Sequence, residues 1–192
     1  MHTLRQLFIV AATLCVTTLS AQVRINEIMA QNNSGLTDPD YGESADWIEL
    51  FNAGSKEVDL TGYSITDNLD TPRKYVLPTG TTLPAGGYLL LWCDDRGEGL
   101  HTAFKLSADG EEVGLFNAEG ELQDQVKFDV QYTDVSYGRT GETDFSWAFF
   151  ATPTPGAAND TKAYRGMSNQ PMILTRGGFF TSAVTVGITN DL

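Results

Sequence analysis

The chain has 192 residues, of which 41% are hydrophobic, and a formal net charge of −13 from 25 acidic and 12 basic residues. A chain of this length can bury the core of an ordinary single domain. Its basic residues are scattered singly, so no nucleic-acid partner is expected, because a surface that follows phosphates needs clustered Lys and Arg.

The first 21 residues have the composition of a secretory signal. Arg5 precedes an apolar run over residues 7–19, and the small residues Ser20 and Ala21 follow it. We predict cleavage after Ala21. A retained membrane anchor is the alternative, but the run is shorter than the ~20 residues that a spanning helix needs. The mature chain is therefore expected to lack a transmembrane segment and to be secreted or held at the cell surface.

The cysteines and histidines offer little chemistry. Loss of residues 1–21 removes Cys15 and leaves Cys93 as the single thiol, which excludes an intramolecular disulfide. Asp94 and Asp95 follow Cys93 and disfavour its thiolate, so we interpret Cys93 as a small apolar core or edge residue. His101, the one histidine beyond the signal, is expected to be a surface loop residue rather than a catalyst.

From residue 22 onward the chain reads as short strands separated by turns rich in Gly, Pro, Asn and Asp. The stretch 46–68 alone predicts three strands, the first over 46–52. Further examples are 88–93, an unbroken apolar run, and 104–107. In 122–130 the apolar residues share one parity, which predicts a half-buried strand; they are Leu122, Val126, Phe128 and Val130. About nine short strands at spacings of ~8–12 residues argue for an antiparallel sandwich or barrel.

Seven separate blocks carry a family resemblance. They are NEIM at 26–29, DWIELFN at 46–52, VDLTGYSITD at 58–67, LPAGGYLLLW at 83–92, FKLSADGEEVGLF at 104–116, DVSYGR at 134–139 and PTPGAAN at 153–159. Together they resemble the bacterial, secreted form of the lamin-tail domain over residues 22–159. The resemblance implies an all-β, immunoglobulin-like antiparallel β-sandwich without catalytic residues, of the kind used as an accessory module in exported multidomain proteins.

The composition changes after this domain. Residues 160–170 are predicted to be a linker, and strand character resumes over 171–192 with Gly177-Gly178 as a turn. This last segment resembles the opening strands of a chitobiase C-terminal-like module, so we expect a second, incomplete β module and a chain that is the N-terminal part of a longer protein. The alternative is that the hairpin docks on the sandwich edge and completes a small protein.

One acidic loop is a candidate metal site. Asp38, Asp40, Glu43 and Asp46 place hard oxygen ligands close together around Gly42, and such ligands can converge on Ca²⁺. The loop departs from the EF-hand pattern, and the alternative is a polar turn in which Asp46 caps its own backbone. No other cofactor is expected.

The sequence contains no nucleophile elbow, P-loop or paired-histidine metal motif. We therefore predict that the protein is not an enzyme but a non-catalytic interaction or spacer module that binds a protein or glycan partner at the cell surface. The alternative is an N-terminal fragment of a secreted enzyme whose catalytic domain, a spore-coat-H-like kinase or a hydrolase, is absent. Trp47 and Trp92 are predicted to be core anchors rather than platforms that stack on a ligand.

Overall fold

A computed structural model describes residues 22–141, 146–168 and 172–189, so the predicted signal segment lies outside the described residues. Strands separated by turns make up this part of the chain, and no helix occurs in it. The strands are β1 Val23–Met29, β2 Asp46–Asn52, β3 Val58–Asp59, β4 Ser64–Thr66, β5 Tyr75–Val76, β6 Thr82–Leu83, β7 Tyr88–Cys93, β8 Glu111–Phe116, β9 Leu122–Phe128, β10 Ser136–Arg139, β11 Trp147–Phe150, β12 Ala163–Tyr164, β13 Met172–Ile173 and β14 Ile188–Thr189.

Two antiparallel sheets form a sandwich. The larger has the order β12-β11-β10-β1-β2-β7, and the smaller has the order β5-β4-β8-β9. Ile25 and Ile48 from the larger sheet join Ile65 and Val113 from the smaller one in a single buried cluster. The prediction of an all-β, immunoglobulin-like antiparallel sandwich is confirmed.

Both faces of the central strands β1 and β2 are buried. Because side chains alternate along a strand, Ile48 and Leu50 point into the core between the sheets, and Trp47 and Glu49 lie on the outer face. Chain segments cover that outer face, so Trp47 and Glu49 are both fully buried.

An ion pair connects the sheets at one end. Asp124 in β9 accepts hydrogen bonds from Arg139 Nη2 in β10 at 2.7 and 2.9 Å, and from the backbone N–H of Ile25 in β1 at 2.8 Å. The N–H of Ile25 is available because the register of β1 shifts between Ile25 and Glu27. Asp124 belongs to the smaller sheet. Its carboxylate therefore accepts the backbone N–H of Ile25 at the point where the strand pairing of the larger sheet is interrupted.

The structure corrects several predicted strands. Residues 104–107 form no strand; Lys105 makes one isolated bridge to Asp94. In β9, a register shift opposite Leu115 and Phe116 breaks the alternation, so Leu122 is 47% exposed. Val130, beyond the end of β9, is also exposed. The two-residue strands β6 and β12 were not predicted, and β12 pairs with β11 inside the stretch expected to be a linker.

The C-terminal strands β13 and β14 pair with each other. The second of them lies at Ile188–Thr189, after the run in which sequence patterning placed it. Phe179 and Phe180, between the two strands, are exposed. Among the described residues, no helix is long and apolar enough to cross a membrane.

Candidate functional site

A groove of about 1000 Å³ runs beside β7, the edge strand of the larger sheet. Leu36 and Tyr41 come from the loop between β1 and β2, Leu90 and Trp92 come from β7, and Leu100 comes from the loop that follows β7. The lining is mostly apolar, with carboxylates of Asp40 and Glu98 at its border. A groove of this volume with a mostly apolar lining and a few polar groups is the default candidate for a binding site.

The edge of β7 is only partly covered. The N–H of Trp92 donates to the carbonyl of Leu100 at 2.8 Å, and the N–H of Thr102 donates to the carbonyl of Trp92 at 2.7 Å. Leu90 lies two residues before Trp92, so its N–H and C=O face the same side of the strand. Within the described residues these groups of Leu90 have no hydrogen-bond partner. A strand edge beside an apolar groove can pair with an extended peptide.

Beside the groove, three carboxylates surround His101, and of this cluster Asp40 and His101 line the groove itself. The Nδ1 atom of His101 lies 2.9 Å from Asp94 Oδ2 and 3.9 Å from Asp38 Oδ2. Its Nε2 atom lies 3.3 Å from Asp40 Oδ2. The prediction that His101 is a surface residue is wrong, because the loop after β7 folds back along the strand edge and leaves the residue 3% exposed.

The loop that carries Asp38 is tightly closed. The N–H of Asp38 donates to the carbonyl of Glu43, and the N–H of Gly42 donates to the carbonyl of Asp38, each at 2.8 Å. Gly42 adopts φ of 72°, a conformation that favours glycine. Asp38 Oδ1 accepts the N–H of Asp40 at 2.9 Å, and the residue is 1% exposed. Within the described residues, Asp38 Oδ2 accepts no hydrogen bond.

The four residues predicted to bind calcium separate into two groups. Asp38 and Asp40 lie together beside His101, whereas Glu43 pairs with Arg96 Nη2 at 2.8 Å and Asp46 accepts the N–H of Asn32 at 3.0 Å. Among the described residues, the set that brings three ligand atoms within 4.8 Å of one another is Asp38, Asp94 and His101. Calcium binding by the original four residues stays a prediction.

Arg96 and Tyr41 frame the cluster. The guanidinium of Arg96 lies 3.7 Å from the centroid of the Tyr41 ring and donates from Nε to Asp94 Oδ2 at 2.7 Å. The Tyr41 hydroxyl donates to Glu98 Oε1 at 2.6 Å, and its ring stands edge-on to His101 with 5.0 Å between centroids. These contacts hold the loop before β2 against the loop after β7.

The charge of His101 follows from its neighbours. Burial lowers the pKa of the imidazole, but hydrogen bonds to Asp94 and Asp40 and the charges of Asp94 and Asp38 outweigh burial, and the net pKa is raised. His101 thus holds its proton to a higher pH than a free histidine does.

A family comparison covers this whole region. The model of the Lamin Tail Domain family matches residues 17–129, which include the groove, the cluster and the strands from β1 to β9. The chain belongs to the lamin tail domain family. The match begins within the segment predicted to be a signal and ends before β10. No curated protein matches the sequence significantly. Lamin tail domains are non-catalytic immunoglobulin-like modules, which agrees with the missing catalytic motifs.

This lamin tail domain also buries two facing carboxylates that sequence reasoning missed. Glu27 in β1 and Glu49 in β2 are register partners on the outer face, and both are fully buried. Glu49 accepts from Asn26 Nδ2 at 2.9 Å and from the N–H of Gly156. Burial raises the pKa of Glu49 to about 7 against these hydrogen bonds, and the charge of Glu27 adds to the increase.

The segment 153–159, which follows the family match, covers the pair. The N–H of Thr154 donates to Glu27 at 3.4 Å, and Asn159 Nδ2 donates to the carbonyls of Asn26 and Arg139 at 3.2 and 2.9 Å. Burial also raises the pKa of Glu27, although hydrogen bonds from Ser136 and Thr154 lower it. The PTPGAAN block therefore has a structural role, because the N–H groups of Thr154 and Gly156 donate to the two buried carboxylates.

Cys93 and the two tryptophans occupy the places predicted for them. Cys93 is 1% exposed, and burial raises the pKa of its thiol well above the ordinary value. Trp47 is fully buried and Trp92 is 5% exposed, and both pack with Met29. The prediction of a core anchor is confirmed for Trp47, whereas Trp92 is buried but also lines the groove.

Proposed function

We propose that this lamin tail domain is an exported interaction module that binds an extended segment of a protein partner in the groove beside β7. The observation that carries the proposal is the coincidence of an apolar groove with the uncovered edge of the sheet at Leu90. Edge pairing supplies backbone hydrogen bonds, and the apolar floor accepts alternate side chains of the partner.

The lining favours a polypeptide over a glycan. Sugars bind to the open faces of aromatic rings, but Trp92 is 5% exposed and Arg96 covers one face of Tyr41. Leucines instead provide most of the apolar floor, with Leu36 being 39% exposed. Asp40 and Glu98 at the border favour a partner segment with a basic residue at one end.

Export is part of the proposal because of the first 21 residues. The basic residue, the apolar run and the small residues before position 22 support a secretory signal. The partner is then a protein at the cell surface or outside the cell, or another part of a larger exported polypeptide.

A peptide selection tests the proposal. The chain is immobilised and challenged with a displayed library of random peptides, and the selected peptides are measured against two variants. Leu36→Asp places a charge on the groove, whereas Leu122→Asp places one at a similarly exposed leucine on the smaller sheet. We expect peptides with alternating apolar residues, at least ~10-fold weaker binding to Leu36→Asp, and unchanged binding to Leu122→Asp.

Three results would overturn this proposal. Equal binding to both variants would place the peptides elsewhere on the domain. Binding to a glycan array that Leu36→Asp abolishes, without peptide binding, would make the partner a carbohydrate. Hydrolysis of glycans, esters or phosphoesters by the purified chain, abolished by a single Asp or Glu substitution, would make it an enzyme.

A further inference from the structure

The cluster beside the groove has the chemistry of a metal site rather than of a surface ion pair. Asp38 and His101 are 1% and 3% exposed, and Asp94 joins them with a side chain that is 7% exposed. Burying carboxylates beside one another costs free energy unless a cation compensates their charge. His101 is the single cation in contact with all three carboxylates of the cluster, Asp38, Asp40 and Asp94, within the described residues.

The distances fit a small coordination sphere. With bonds of about 2.0–2.2 Å to nitrogen and oxygen, neighbouring ligands of a tetrahedral metal ion lie about 3.3–3.6 Å apart. His101 Nδ1 is 2.9 Å from Asp94 Oδ2 and 3.9 Å from Asp38 Oδ2, so the first distance would open and the second would close by about 0.5 Å. Side-chain rotations of that size require no change in the sheet.

The unpartnered oxygen of Asp38 is the independent observation. Its Oδ2 atom is buried, points towards His101 Nδ1, and accepts no hydrogen bond within the described residues, while Oδ1 is held by the N–H of Asp40. A buried carboxylate oxygen without a donor destabilises the folded state. A metal ion at this position would satisfy it.

The other side of the imidazole is arranged as it is in many metal sites. Asp40 Oδ2 lies 3.3 Å from His101 Nε2, on the side of the ring away from Asp38 and Asp94. A ligating histidine commonly donates its second N–H to a carboxylate, which fixes the tautomer and directs the lone pair of the first nitrogen at the metal. Arg96 Nε donates at 2.7 Å to Asp94 Oδ2, the same oxygen that faces His101, and fixes the position of that carboxylate.

The donor set selects the class of ion. Ca²⁺ takes six to eight oxygen ligands, whereas this cluster offers two carboxylates and one imidazole nitrogen at short range. Imidazole with carboxylates suits zinc-like transition metals. From the geometry we infer that Asp38, Asp94 and His101 bind a divalent transition metal ion of the Zn²⁺ class, with Asp40 as the outer partner of His101.

The ion would fasten two loops. Asp38 belongs to the loop before β2, whereas Asp94 and His101 belong to the segment after β7, and both loops line the groove. This inference does not depend on the proposed peptide partner, because metal binding is measured on the chain alone.

Metal titrations of the full chain test the inference. After treatment with a chelator, the melting temperature is measured without metal, with Zn²⁺ and with Ca²⁺, and Co²⁺ serves as a visible-absorption probe. We expect Zn²⁺ to raise the melting temperature by mass action, Ca²⁺ to have no such effect, and Co²⁺ to give the intense bands of a tetrahedral site. A thiolate-to-cobalt charge-transfer band is not expected, because no cysteine belongs to the site.

Matched variants locate the metal. Asp38→Asn and His101→Gln should each weaken Zn²⁺ binding at least ~10-fold, and Asp40→Asn should weaken it by roughly 10- to 100-fold through the imidazole. Asp70→Asn, at an exposed carboxylate outside the cluster, should bind like the wild type. The change in melting temperature caused by metal is compared within each variant, so a variant that is less stable without metal remains informative.

Each contrary outcome overturns the inference. Absence of Co²⁺ bands together with absence of a Zn²⁺ effect at submillimolar metal means that the cluster is an ion pair only. Equal losses of Zn²⁺ affinity in Asp38→Asn and Asp70→Asn mean that the ion binds adventitiously to the surface. Tighter binding of Ca²⁺ than of Zn²⁺ means that an oxygen site, such as the one predicted for the loop 38–46, holds the ion instead.

Discussion

Raising the pH should destabilise this domain, because Glu49 is buried between β1, β7 and the segment 153–159. Its pKa is raised from 4.5 in the unfolded chain to about 7 in the folded one, so the folded state binds the proton more tightly. The stabilisation by this proton is fully present below about pH 4.5 and is lost as the pH rises through about 7.

The magnitude follows from the two pKa values. Since each unit of pKa difference corresponds to about 1.4 kcal/mol, Glu49 contributes on the order of 3 kcal/mol to this pH dependence. Glu27 changes stability in the same direction, since burial raises its pKa too. His101 does likewise: its raised pKa means that its contribution is present at low pH and is lost as the pH rises through that pKa.

Urea unfolding followed by tryptophan fluorescence at several values between about pH 5 and about pH 8 measures the effect. The share of Glu49 is the change with pH in the stability difference between the wild type and Glu49→Gln. Glutamine carries no charge, so we expect that difference to move by about 2.5 kcal/mol in favour of Glu49→Gln over this range, because the unfolded glutamate is already partly ionised at about pH 5. Glu119→Gln, at an exposed turn, is the control and should follow the wild type.

A stability difference between wild type and Glu49→Gln that stays constant over this range would refute the reasoning. It would mean that Glu49 is ionised in the folded domain throughout, with its two N–H donors outweighing burial. A difference that moves in the opposite direction would show that the charged form is the one stabilised by the segment 153–159.

Three further outcomes are expected. Trp47→Ala should destabilise the domain by about 3–5 kcal/mol in urea unfolding, because the ring is fully buried; a change below about 1 kcal/mol would contradict its role as an anchor. Asp124→Asn should cost about 3 kcal/mol by removing the carboxylate charge that Arg139 faces, and a matched loss in Arg139→Gln that does not add to it in the double variant would confirm that the two act together. Cys93 should react with a thiol reagent at the rate of unfolding, since the thiol is buried and its pKa is raised; immediate labelling of the folded protein would show that it is accessible.

Sequence patterning located the strands that carry their own signal. The predicted bounds of β2 and β7 agree with the structure, because each is a dense apolar run between residues that favour turns. The two-residue strands β6 and β12 carry no such signal, because a pair of residues becomes a strand only when a partner strand lies beside it. The prediction that alternate residues of β9 are buried was wrong at Leu122 for a related reason, since the register shift there is visible only in the pairing with β8.

In the candidate site, too, sequence predicted the contacts between near neighbours and missed those between distant residues. Asp38 and Asp40 were predicted as neighbours because they are close in sequence, and the structure keeps them close. Asp94 and His101 were missed as members of the cluster, because they reach it only when the loop after β7 folds along the strand edge.

By itself, the sequence determined the all-β class and the burial of Trp47 and Cys93, since these depend on local periodicity and composition. Only the tertiary structure decided which charged groups meet: Glu27 opposite Glu49, and His101 among the three aspartates. The physical reason is that the alternation of buried and exposed side chains along a strand depends on neighbouring residues. The contacts between buried charges depend instead on strand register and on loops that connect distant parts of the chain.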